Sequence, residues 1–414
     1  MPHYTLNYDI IQDAVIKKRK EKRIFLDYAS ITPLDKEVKK EMDKVQEKFW
    51  GNPSSLHTEG EKANHKLEES RIKIARILHC RANEIFFTSG GTEAINLAIL
   101  GVIKASKERL PHIICSTIEH PAVLELIKNL INEKKTEVSF ISPDGRGIIN
   151  PKSVKKEIKE NTILIIIQHA NNEIGTIQPI REIVKIIRNS NFATRNSYPY
   201  FLVDACQSAL YEDISIERLG ADLLILDGVK MYGPRGAGIL ISKHNLRISP
   251  VIFGGGQERG LRSGTENVAN AAGLAKALEL AVGKREKEIK RLTKLRDWTI
   301  KKMLNKIPNS SLNGDSKKRL PNNINICLSQ GDTLGKFPKV SPWDSEFLVI
   351  KLDTLGFAVS SASACHALSN KSDSYVIEAL NPKCANSSLR ITFGRDTKKS
   401  DLDKFISVLK KVIK

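Results

Sequence analysis

The sequence has no long apolar run. Nothing in its 414 residues reaches the roughly 18 consecutive apolar positions that a membrane-spanning helix needs, so no membrane partner is expected. The longest apolar stretches, such as Ile163–Ile167 and Leu223–Leu226, have the length of buried strands. The chain also lacks a C-x-x-C pair. Its six cysteines (Cys80, Cys115, Cys206, Cys327, Cys365, Cys384) lie far apart. That argues against a disulfide framework or a compact zinc site, so no metal is expected, and it suits a reducing cytoplasm. The N-terminus lacks the basic, apolar, small-residue order of a secretory signal, and Asp9 and Asp13 are out of keeping with a transit peptide. A cytoplasmic protein is the expectation.

Aromatic residues are sparse at 6%, and acids are outnumbered: 66 Lys and Arg against 47 Asp and Glu give a formal charge of +19. Such a charge invites a nucleic-acid reading. The lysines, however, interleave with glutamates, as in Lys284-Arg285-Glu286-Lys287-Glu288, the pattern of solvated helix faces. Direct nucleic-acid binding is therefore not expected, while a basic surface suits acidic protein partners.

What is present is α/β grammar. From about residue 35 to 285, short apolar runs alternate with amphipathic ones. Strands are predicted at Glu84–Thr88, His112–Ser116, Val138–Ile141, Ile163–Gln168, Tyr200–Val203, Leu223–Leu226 and Gly238–Ser242. Helices fall between them, at Thr92–Ala105 and Pro121–Lys134 among others, so a mostly parallel sheet is expected. A long charged helix from about Val282 to Lys306 bridges to a smaller α+β region. That region has strands at Asn323–Leu328 and Arg390–Phe393 and a terminal helix from Lys399. The segment Gln330–Trp343 reads as an exposed loop. The division expected is an N-terminal segment (1–39) packing with the small domain, a large domain (40–285) and a small C-terminal domain (286–414).

Three separated motifs carry chemistry. Thr88-Ser89-Gly90-Gly91-Thr92-Glu93 is a strand-turn-helix junction. Its glycines admit an anion to the backbone, and the helix start offers N–H groups and a positive dipole end; ordinary turn chemistry is an equal alternative. In Val203-Asp204-Ala205-Cys206-Gln207 a carboxylate follows an apolar strand. It can hold a pyridine nitrogen protonated, or simply cap a helix, which is locally the commoner use. In Asp227-Gly228-Val229-Lys230-Met231-Tyr232-Gly233-Pro234 a lone lysine sits between a buried strand and a Gly-Pro turn. Lysine is the residue that forms Schiff bases with aldehydes, the alternative being an exposed turn lysine.

Phosphate loop, then Asp204, then Lys230 26 positions later: this order resembles the class V aminotransferase branch of fold-type I pyridoxal-phosphate (PLP) enzymes. More closely, the chain resembles the cysteine desulfurase family. The matching stretches include Phe25-Leu26-Asp27-Tyr28-Ala29, Glu119-His120-Pro121-Ala122-Val123, His169-Ala170-Asn171-Asn172-Glu173-Ile174-Gly175 and Gly254 through Thr265. The resemblance implies a large domain with a mostly parallel seven-stranded sheet, and PLP carried on Lys230. Asp204 would pair with the pyridinium nitrogen, Gln207 would contact the phenolic oxygen, and His120 would stack on the ring. Gly91 and Thr92 would bind the phosphate, with Thr265 reaching that of a neighbouring subunit, which implies a homodimer. Asn172 would lie on the substrate side and Arg390 would clamp the carboxylate of L-cysteine. Cys365, in Ser360-Ser361-Ala362-Ser363-Ala364-Cys365, would take the sulfur as a persulfide, leaving alanine. Its separation of 25 residues from Arg390 resembles the long-loop class. The acceptor would be an iron–sulfur scaffold or another sulfur-acceptor protein, such as one serving tRNA thiolation. Rival readings are another class V enzyme (a selenocysteine lyase or an aminotransferase) and a degenerate, non-catalytic partner.

The resemblance breaks at two positions. The family usually has Ser and His where this chain has Asp227 and Val229. Two phosphate donors are thereby lost, and an ionised Asp227 would repel the phosphate. Weaker cofactor binding is expected unless a neighbour such as Arg235 compensates.

Overall fold

A computed structural model of the chain describes residues 23–189, 199–328, 344–361 and 374–413. Ile24–Phe25 form a short strand, β1, ahead of seven strands that make the main sheet. These are Ile85–Thr88 (β2), His112–Ser116 (β3), Glu137–Ile141 (β4), Thr162–Gln168 (β5), Tyr200–Asp204 (β6), Leu223–Asp227 (β7) and Gly238–Ser242 (β8). Their order across the sheet is β2-β8-β7-β6-β5-β3-β4. Strand β8 runs against both neighbours and every other pairing is parallel, as expected.

The composition of the strands follows from this position. β5 reads Thr-Ile-Leu-Ile-Ile-Ile-Gln because helices cover both faces of a parallel sheet, leaving little solvent face to be polar. Alternate residues feed opposite layers. Ile113, Leu164, Leu202 and Leu223 meet Ile95 and Ile99 of helix Gly91–Ala105 and Val123 and Ile127 of helix Pro121–Asn132. Ile114, Ile165, Val203 and Leu224 enter the second core instead. Each such side chain contributes about 1.5–3 kcal/mol by leaving water.

A second, antiparallel sheet is built from Ser311–Leu312 (β9), Asn323–Cys327 (β10), Ser360–Ser361 (β12) and Ser388–Thr392 (β13), in the order β12-β13-β10-β9. Phe357–Ala358 (β11) pairs in parallel with β1, and Asp27 bridges to Thr392. The stretch around residues 24–29 is thus stitched to the smaller sheet while passing the edge of the larger one.

Two expectations need correction. The long helix spans Val268–Lys306 and does not begin near Val282. Its first part is alanine-rich and buried (Ala271, Ala272, Ala275, Leu278) against helices Lys36–Lys48 and Thr58–Leu78, and only its later part carries the charge pattern. The expectation of separate thiols fails for one pair, since Cys327 and Cys384 form a disulfide. They lie 57 residues apart, and β10 and the turn Pro382–Cys384 bring them together, a proximity that spacing does not reveal. The loop expected at Gln330–Trp343 lies outside the described residues.

Candidate active site

Strand register assembles the site. Gln168 lies opposite Asp204, and Asp204 opposite Ile225, so β5 and β6 end level and β7 continues to Asp227. On the far side of β7, Gly238 at the start of β8 pairs with both Asp227 and Thr88. The turn after β2 is thereby set beside the end of β7. This is the carboxyl edge where open α/β sheets receive ligands. The glycines are sterically required here. A Cβ on Gly238 would lie 2.6 Å from the Gly90 backbone, and one on Gly91 3.1 Å from Cys206 Sγ.

Lys230 ends the short turn Gly228–Lys230. Its Nζ donates to the carbonyls of Ala29 (3.0 Å) and Ser30 (2.5 Å). Gln207 Nε2 donates to the same Ala29 carbonyl at 2.9 Å, so the N-terminal stretch gathers two of the expected residues at one point. The turn is held by Tyr232, a non-glycine residue at φ +59°. Its N–H donates to Thr32 Oγ1 and its hydroxyl accepts from Arg395 N–H, which offsets that conformation.

Asp204 is buried at the end of β6. Its Oδ1 accepts the N–H of Cys206 at 2.9 Å within a turn, so it is not the helix cap that a local reading favours. Its own carbonyl accepts from His169 N–H at 2.8 Å. His120 caps helix Pro121–Asn132, with Nδ1 accepting Ala122 N–H at 3.1 Å. That contact puts the neutral ring's proton on Nε2. Behind it, burial and the nearby Asp204 push the Glu119 carboxyl up to about 8. It is held by Ser116 Oγ at 2.5 Å and Gln168 N–H at 2.9 Å. A neutral Glu119 spares the Asp204 neighbourhood a second negative charge.

Asn172 and Arg390 meet from opposite sides. Arg390, on β13, donates Nη1 to the Asn172 carbonyl (3.1 Å) and Nη2 to Asp27 Oδ1 (2.9 Å). Asn172 Oδ1 and Arg390 Nε are both buried and have no partner among the described residues. Next to Asn172, burial pushes the Glu173 carboxyl up to about 7, and it accepts from Ser374 Oγ at 2.5 Å.

Thr92 stands exposed beside Gly91 at the helix start. Thr265 lines a cleft of about 230 Å³ with Thr88, Ser89 and Arg262, on the outer side of the same turn. Cys365 lies outside the described residues, as does the following His366. Sequence reasoning gave no role to Asp27, Glu119 or Glu173. Each sits inside a stretch that carried the resemblance, but each also has a partner far along the chain: Arg390 for Asp27, Gln168 for Glu119 and Ser374 for Glu173.

The class-V aminotransferase family matches residues 24–405. A cysteine desulfurase IscS of Dictyoglomus turgidum is 40% identical over 395 residues, covering 95% of each chain. The cysteine desulfurase IscS 1 of Archaeoglobus fulgidus is 39% identical over 391 residues, 94% of this chain and 96% of its own. The chain belongs to the cysteine desulfurase family. Among solved structures, a NifS-like protein superposes with a TM-score of 0.83 at 31% identity, covering 94% of this chain and 99% of its own. A structure of SspA in complex with cysteine gives 0.73 at 31% identity, covering 89% and 98%. Fold-type I architecture, PLP as cofactor and sulfurtransferase as enzyme class are therefore those of this desulfurase.

The residues present fit that cofactor over most of its length. An amine for the aldehyde, a carboxylate for the pyridine nitrogen, an imidazole at a helix start and a glycine cradle converge on one sheet edge. The burial that pushes the Cys206 thiol up is reinforced by Asp204 and Asp227 and opposed by Lys230, which places all four groups within electrostatic reach. The phosphate end is the exception: Gly91 N–H donates to Asp227 Oδ2 at 2.9 Å. Arg235, the neighbour that could compensate, is exposed and, among the described residues, joins no ion pair.

Proposed function

We propose that this desulfurase transfers the sulfur of L-cysteine to Cys365 and releases alanine. The observation that carries the reading is the convergence of Lys230, Gln207 and Arg390 on the stretch Asp27–Ser30, with Asp204 at the same sheet edge. The SspA structure, solved with cysteine, supports the substrate.

Bound PLP supplies an electron sink that weakens the Cα–H and Cβ–S bonds of the amino acid. Lys230 would carry the cofactor and, once freed, could move the Cα proton. Asp204 would keep the pyridine nitrogen protonated, Gln207 would meet the phenolic oxygen, and His120 would cover the ring and could take part in proton transfer. Gly91 and Thr92 would meet the phosphate. Arg390 clamps the carboxylate, its spare Nε and the unpaired Asn172 Oδ1 being a donor and an acceptor still to be satisfied. Cys365 thiolate attacks the substrate sulfur: an S–S bond forms, the C–S bond breaks, and its electron pair stays with the three-carbon product, which takes up a proton to become alanine.

Elimination among the cysteines points the same way. Burial pushes the Cys80 thiol up to about 12 and raises those of Cys115 and Cys206, so none of the three is a ready thiolate. Cys327 and Cys384 are bonded to each other. Cys365 remains.

A homodimer with Thr265 completing the neighbour's phosphate site is part of the reading. Thr265 shares a second cleft of about 330 Å³ with Phe49 and the 70% exposed Trp50, an apolar surface that a second copy would cover. A cytoplasmic location and an iron–sulfur scaffold or tRNA-thiolation protein as acceptor complete it. No described helix is long and apolar enough to cross a membrane.

The test is to mix the protein with PLP, L-cysteine and reductant, and to measure sulfide and alanine. Cys365→Ala abolishes sulfide and leaves the cofactor absorbance intact; sulfide at the parent rate would refute the assignment. Alanine-free transamination products would favour an aminotransferase instead.

A further inference from the structure

The phosphate end of the site already holds an anion of the chain's own. Asp227 Oδ2 accepts the N–H of Gly91, the first residue of helix Gly91–Ala105, at 2.9 Å. Its Oδ1 accepts the N–H of Val229, one residue before Lys230, at 3.1 Å. The carboxylate therefore joins the anion-seeking helix start to the lysine turn. Register puts it there, since Gly238 lies opposite both Asp227 and Thr88. The fit is close: a Cβ on Gly91 would stand 3.2 Å from Asp227 Oδ2.

Two nearby cations are engaged elsewhere. Arg262 is paired with Glu93 at 2.6 Å, and Glu93 in turn accepts the N–H of Ser89 from the same turn. Lys230 is bonded to two carbonyls. Among the described residues Asp227 joins no ion pair. A phosphate entering here must either displace the carboxylate from Gly91 N–H or share the turn with a second negative charge. Both costs fall on the phosphate alone, because the aldehyde and ring of a pyridoxal meet Lys230, Asp204 and His120 whether or not a phosphate is attached.

We propose that Asp227 is a resident anion in the phosphate subsite, and that it sets this protein's preference between phosphorylated and unphosphorylated pyridoxal. The inference rests on the PLP reading of the site. It assigns Asp227 an acceptor's role, competing with the cofactor's phosphate, in place of a donor's.

The experiment titrates apo-protein with PLP and, separately, with pyridoxal, following the visible absorbance of the lysine adduct, with Lys230→Ala as the blank. Asp227→Ser and Asp227→Asn are compared with the parent. Both variants should tighten PLP binding about tenfold or more, while pyridoxal affinity stays within about twofold. Unchanged PLP affinity, or equal gains for both aldehydes, overturns the proposal. Melting curves of the apo-proteins check folding, and Asp227→Asn keeps an oxygen for the two N–H groups should the serine variant unfold. If no variant forms an adduct with either aldehyde, the PLP reading fails and takes the proposal with it. That outcome is distinct from adducts indifferent to Asp227.

Discussion

The two ends of the site each contain a resident carboxylate, and the two do opposite work. At the substrate end Asp27 pairs with Arg390, with side chains 18% and 2% exposed. Its other oxygen accepts from Ser30 Oγ, and Arg390 Nε has no partner among the described residues. On the proposed reading, the carboxylate there orients a charged guanidinium and leaves one of its nitrogens free to meet a second carboxylate. At the phosphate end Asp227 meets an uncharged N–H and takes the place an anionic ligand would want. On the proposed reading, the same functional group positions a receptor where it faces a cation and competes with the ligand where it faces a helix start.

Breaking the first partnership gives the largest expected effect. Arg390→Ala should lower kcat/KM for L-cysteine about a hundredfold or more, measured as sulfide release under PLP saturation, because the substrate carboxylate loses its charged partner. Asp27→Asn sharpens the contrast. It retains shape but loses the charge, and a fall of about tenfold carried mainly in KM is expected, with PLP affinity unchanged. If Asp27→Asn instead tightened cysteine binding, Asp27 would be a competitor like Asp227 and the contrast would collapse.

Stability effects are smaller. Reducing the Cys327–Cys384 bond should cost about 2–4 kcal/mol, read as a lower denaturation midpoint of Cys384→Ser or of reduced protein. The pH dependence comes last. Glu119 and Glu173 have folded pKa values raised to about 8 and about 7. The native state therefore binds more protons than the unfolded chain, and stability falls as pH rises from the ordinary carboxylate range through those values. Melting temperature should decline between about pH 5 and 8, less steeply in Glu119→Gln; an identical slope in that variant would show that Glu119 is not the titrating group.

Much of this was legible in the sequence because it is written locally. The Ile-rich run of β5 and the Ser89-Gly90-Gly91 turn ahead of a helix are patterns contained within a few residues. So does the lone Lys230 after a buried strand. What escaped is long-range. Asp27 and Arg390 are 363 positions apart, and no periodicity links them. The start of the Val268–Lys306 helix hid in an alanine-rich stretch whose burial depends on two other helices. Asp227 was visible as a departure, yet whether it would donate, repack or compete depended on the register of β8, which no local pattern encodes.

The most direct measurement isolates the Cys365-containing peptide after a single turnover with L-cysteine, without reductant, and weighs it. One additional sulfur atom on Cys365, absent in the Lys230→Ala protein, is the expected result. An unmodified Cys365 alongside released alanine would contradict it, because sulfur would then leave the substrate by a route that this cysteine does not carry.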